Sequence, residues 1–113
     1  MIKDKKDLLG KKITWTWLQG NFESSSYNNI IYQDGSIYWK GLSGKEKGTE
    51  ITVSKDKTLI KKVADGIFLL SWFEGKDGYT VTNLLNFKNK SMIGVVSNKG
   101  TWSPSRGKIN AIS

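Results

Sequence analysis

The chain has no cysteine and no histidine, and only one proline (Pro104) and one arginine (Arg106) among its 113 residues. Disulfide staples, thiolate or imidazole nucleophiles, histidine general bases and the usual zinc or haem ligand sets are therefore excluded. Neither a cofactor nor a metal is expected. No run approaches the roughly 18 apolar residues of a membrane span, and residues 1–12 mix Lys with Asp without an apolar core, so neither a span nor a secretory signal is expected. Cytoplasm is the expected compartment, and Asn89-Lys90-Ser91 is then a chance match to a glycosylation acceptor. Helical patterning is also missing: no window of about 11 residues carries a 3.6-residue apolar period, and one turn over residues 5–9 is all the pattern allows.

What is present is basic and aromatic. Eighteen Lys and Arg stand against ten Asp and Glu, a net charge of +8, and every basic residue except Arg106 is lysine. Lysine solubilises, whereas readers of nucleic acid add arginine for bidentate contacts. Trp15 and Trp17 beside Lys11-Lys12 make only a weak stacking platform, so nucleic acid is not an expected partner. The length fits one domain over residues 1–113 with a short charged lead-in, and the 37% apolar content plus 12 glycines is that of an ordinary globular chain.

Ile13-Thr14-Trp15-Thr16-Trp17 alternates β-branched and aromatic residues and predicts a strand. Residues 27–33 predict a second, which Asp34-Gly35 turns back through a two-residue hairpin into residues 36–40. Residues 41–48, rich in glycine and charge, predict a loop. They lack the lysine-terminated phosphate-loop pattern. Further strands are predicted over residues 49–53, 58–63, 67–73, 79–87, 91–97 and 108–112, with residues 100–107 as a polar loop or barrel-end cover carrying Trp102 and Arg106. Residues 67–73 are almost wholly apolar, so both faces of that strand should be covered. Eight or nine short strands with frequent glycine turns predict an all-β antiparallel barrel, since closure removes free edges.

Residues two apart on a strand share a face, so Trp15 and Trp17 form one pair and Trp72 and Glu74 another. Turned inward, they would wall a cavity with indoles around one carboxylate. Glu74 is then the candidate acid or base, or the anchor for a ligand donor. Tyr27, Tyr32 and Tyr38 offer phenolic hydroxyls, although tyrosine is also a common cross-strand packing group.

Leu9-Gly10-Lys11-Lys12, the strand through Trp17 and Gly20, Tyr38-Trp39-Lys40 with Ser43-Gly44 and Gly48, and above all Gly66-Ile67-Phe68-Leu69-Leu70-Ser71-Trp72-Phe73-Glu74 resemble the MoaF-like and phenolic acid decarboxylase group. The likeness runs on through Val81-Thr82 and Gly94 to Gly107-Lys108-Ile109. It implies a small calycin-like (lipocalin-like) antiparallel β-barrel with a central cavity, commonly dimeric. In the decarboxylase branch two tyrosines and an arginine hold a hydroxycinnamate carboxylate, while a glutamate handles the proton. The matching positions here are Trp15, Trp17, Thr49 and Glu74, so three of the four depart from that chemistry. An indole cannot replace a phenolic hydroxyl, and threonine carries no charge. The chain is closer to the MoaF-like branch, and decarboxylation is not expected.

The resulting expectation is a pocket for a compact apolar or aromatic molecule, formed by Trp15, Trp17, Tyr38, Thr49, Trp72 and Glu74, in a barrel that can form homodimers. Two alternatives stay open. One is a cofactor-independent lyase or isomerase using Glu74 for proton transfer. The other is a structural or protein-interaction barrel in which residues 67–73 meet a second subunit.

Overall fold

The computed structural model describes residues 2–113. After a four-residue helix, α1 (Lys5–Leu8), nine strands follow in one antiparallel sheet: β1 (Lys12–Gln19), β2 (Ser26–Ile31), β3 (Ile37–Gly41), β4 (Glu50–Val53), β5 (Thr58–Ala64), β6 (Ile67–Glu74), β7 (Tyr79–Asn86), β8 (Ser91–Asn98) and β9 (Thr101–Ile112). Their order is β4-β3-β2-β1-β9-β8-β7-β6-β5. Two meanders, β1 to β4 and β5 to β9, are joined where β9 pairs with β1. The sheet curls into a nearly closed barrel whose seam lies between β4 and β5, the two strands with a single hydrogen-bonded neighbour each.

Side-chain alternation decides what fills it. Ile13, Trp15 and Trp17 on β1, Phe68, Leu70, Trp72 and Glu74 on β6, and Val81, Asn83 and Leu85 on β7 all point inward and are buried. One end is packed solid by Ile31, Ile37, Phe68, Leu85 and Met92 and is capped by Leu8 of α1, which is fully buried. The opposite end carries the connections 20–25, 42–49 and 75–78, and its interior is aromatic.

Three sequence expectations are corrected. Residues 100–107 are not a loop: Thr101–Ile112 is one long strand whose inward positions are Ser103, Ser105, Gly107 and Ile109. Small residues are required there because Gly107 lies between Trp17 and Met92 in register, and a Cβ on it would stand 2.5 Å from Met92 Cε and 2.8 Å from the Thr16 carbonyl. The β2–β3 hairpin is wider than a two-residue turn. Tyr32 N–H donates to the Ser36 carbonyl and Gly35 N–H to the Tyr32 carbonyl, which makes a three-residue connection with Gly35 at φ +90°. Finally, β6, which lies next to the seam strand β5, is not covered along both faces. Its inner face is buried, while outward Phe73 is 43% exposed.

Candidate functional site

At the aromatic end β1 and β2 set Trp15 opposite Tyr27, β6 and β7 set Glu74 opposite Tyr79, and β3 contributes Trp39. Together they line a hollow, open at its mouth, in which ≈ 40 Å³ admits the centre of a water-sized sphere. That exceeds the roughly 10–15 Å³ needed by one water. The indoles of Trp15, Trp17, Trp39 and Trp72 form the inner walls, while Phe22, Tyr79 and Glu46 are half-exposed toward the mouth. Neighbouring rings meet steeply: Trp15 and Trp17 at 65°, Tyr27 and Trp39 at 80°, Phe22 and Tyr27 at 88°. Trp15 and Trp72 instead stack at 18° with centroids 6.4 Å apart.

Glu74 is 5% exposed and lines this hollow. Its Oε2 accepts two indole N–H bonds, from Trp39 and Trp72, each at 2.7 Å. Burial pushes its pKa up to about 7, opposed by those two donors, and nearby Asp77 pushes in the same direction as burial. Two neutral N–H groups do not offset the loss of water around a carboxylate, so the acid titrates near neutrality. A second carboxylate stands at the rim: Glu46, in the short 3₁₀ turn Gly44–Glu46, accepts the Tyr27 hydroxyl at 2.6 Å. Burial and then that bond drive the Tyr27 pKa upward, so the phenol stays protonated and donating.

Of the residues expected at a pocket, Trp15, Trp17, Trp72 and Glu74 line the hollow and Tyr38 and Thr49 do not. Tyr38 precedes the inward Trp39 by one residue and so faces outward, where its hydroxyl donates to Glu50. Thr49 is exposed on the loop before β4, and its carbonyl accepts Gly41 N–H. Trp39, Tyr27, Phe22, Tyr79 and Glu46 were absent from the expected set. Strand parity identifies the first: Ile37, Trp39 and Gly41 share one face, and it is the buried one. Phe22 and Glu46 arrive from connections whose paths no periodicity encodes. Trp102 is 68% exposed on the outer surface of β9 and covers no opening. Arg106 is likewise exposed and outward-facing.

The MoaF-like family profile matches residues 13–110. The chain belongs to the MoaF-like family. No curated protein matches it in sequence. Among solved structures it is similar to a "putative beta-lactamase from Burkholderia vietnamiensis", with a TM-score of 0.78 and 17% identity over 92% of this chain and 94% of that one. At that identity the likeness concerns the fold alone. This MoaF-like chain is thus a nine-stranded barrel with an internal cavity. Among the described residues no helix is long and apolar enough to cross a membrane, and no group of three acidic side chains is placed to hold a metal ion.

Proposed function

We propose that this MoaF-like barrel binds a compact apolar or aromatic molecule in its hollow end, with the four indoles as walls and Glu74 as the polar anchor. One observation carries the reading: a carboxylate only 5% exposed lines an aromatic-walled cavity, its Oε2 held by two indole N–H groups. Mostly apolar walls with a few convergent polar groups are the usual make-up of a small-molecule site. Titrating tryptophan fluorescence with small aromatic phenols, amines and acids tests it. A saturable change for at least one class is expected, and none for any class would contradict it.

A catalytic reading has one observation in its favour: a carboxyl titrating near 7 can both donate and accept a proton at neutral pH. A cofactor-independent lyase or isomerase would use Glu74 in that way. Glu74→Gln would then abolish turnover while leaving fold and binding intact. Hydroxycinnamate decarboxylation is not favoured. Trp15 and Trp17 stand at the matching tyrosine positions, Thr49 lies off the hollow, and no lysine or arginine lines it to receive a carboxylate. The lactamase description of the similar structure gains no support either, since no serine, threonine or lysine lines the hollow to attack an amide.

A further inference from the structure

The distribution of charge around the hollow runs against that of the whole chain. The protein carries 18 basic and 10 acidic residues, yet two carboxylates, Glu46 and Glu74, line the cavity and no basic residue does. Lys45, beside Glu46 in the 3₁₀ turn, lies over the Phe22 ring at 5.5 Å and is not part of the lining. Seven of the 13 aromatic residues surround the same space, four of them tryptophan, the ring whose face attracts cations most strongly.

Three ligand chemistries can be compared against this lining. An anion would meet two carboxylates and no positive charge, so it would be repelled as well as desolvated. A neutral apolar molecule would pack, but it would leave the carboxyl favoured in its uncharged form. An organic cation places its charge against Glu74 and its alkyl groups against the indole faces. Clusters of aromatic rings are the surroundings in which quaternary ammonium groups are recognised.

We infer that the occupant of the hollow is an organic ammonium ion, a compact quaternary or protonated amine, held by the indoles of Trp15, Trp17, Trp39 and Trp72 and charge-paired with Glu74. This rests on the ligand-binding reading above and narrows it to one chemical class. Binding is coupled to ionisation of Glu74: bound cation favours the carboxylate, so affinity rises with pH through the range in which Glu74 loses its proton. The other groups facing Glu74 are Trp72 and Asp77 from its own strand and turn, Trp39 from β3, and Tyr27 from β2 with Glu46 behind it. Lys57 stands outside, beside Gly75 and over Phe73. None of these places a positive charge in the cavity that could substitute for the ligand.

The test varies the charge of the ligand rather than that of the protein. Choline and its carbon isostere 3,3-dimethylbutan-1-ol are titrated into the full chain at pH 8 and pH 5.5, with benzoate as the anionic arm and tryptophan fluorescence as readout. At pH 8 choline is expected to bind about thirtyfold or more tightly than the isostere, the lower end of what a buried charge partner contributes. Choline should weaken at pH 5.5 while the isostere does not, and Glu74→Gln should remove both differences. Equal binding of choline and isostere, or saturation by benzoate alone, would overturn the ammonium inference and leave the pocket standing. Saturation by none of the three, nor by the phenols, would remove the pocket as well.

Discussion

Glu74 concentrates the chemistry at the scale of single residues. Its pKa is raised to about 7 from the ordinary 4.5, so between those values the folded protein holds a proton that the unfolded chain has lost. Stability from this group is consequently full below pH 4.5 and declines as pH rises toward 7. Urea midpoints of wild type and Glu74→Gln, compared from pH 4.5 to 8, should show this decline in wild type and lose it in the variant. Asp34, Asp56 and Asp65 act in the opposite sense and in another window. Their pKa values are lowered by Ser36, Ser54 and Lys62 respectively, so what they contribute is lost only as pH falls below about 3.8. Trp39→Phe removes one of the two donors that favour the charged form, and the Glu74 midpoint should move above its wild-type value. A downward move would show that the indole bond is not what restrains the pKa. Trp72 and Glu74 were legible as a pair because two-residue spacing on an apolar strand fixes a common face. The same rule separates Tyr38 from Trp39, and the apolar neighbour Ile37 marks Trp39 as the inward one.

At the scale of elements, most strands could be read because alternation and glycine turns coincide, as in Thr58–Ala64 and Tyr79–Asn86. The first half of β9 could not. Its inward positions are Ser103, Ser105 and Gly107, which carry no hydrophobic signal because the bulk at that level comes from Trp17 and Met92. The strand is specified by what its neighbours leave empty. Gly107→Ala should therefore destabilise the barrel by about 1–3 kcal/mol through overpacking, read as a lower urea midpoint with an unchanged slope. The loop carrying Glu46 depends on a similar close approach. A Cβ on Gly41 would stand 2.0 Å from the Glu46 carbonyl oxygen, a contact with backbone that no side-chain rotation relieves. Gly41→Ala should displace this loop and weaken ligand binding more than it lowers the urea midpoint.

Across the whole molecule, a sheet that nearly closes leaves its weakest line at the seam. Amides of β1, β9, β8 and β7 have hydrogen-bonded strands on both sides, whereas β4 and β5 have one neighbour each. Hydrogen exchange should be slowest in the former group and fastest along β4 and β5, and uniform protection would indicate a closed ring. The +8 charge surrounds a hollow lined by carboxylates. A cation approaching it is opposed by the global field, so added salt should speed its association, the reverse of the salt response expected for nucleic acid. Composition made the basic exterior legible, but not the acidic interior, because two carboxylates from distant segments meet only after the meanders join. The most direct measurement is a ¹³C titration of the Glu74 side-chain carboxyl with and without choline. A midpoint near 7 that falls when choline is added is predicted; a midpoint in the ordinary carboxylate range, unmoved by choline, would contradict the placement of a buried acid at the wall of a binding site.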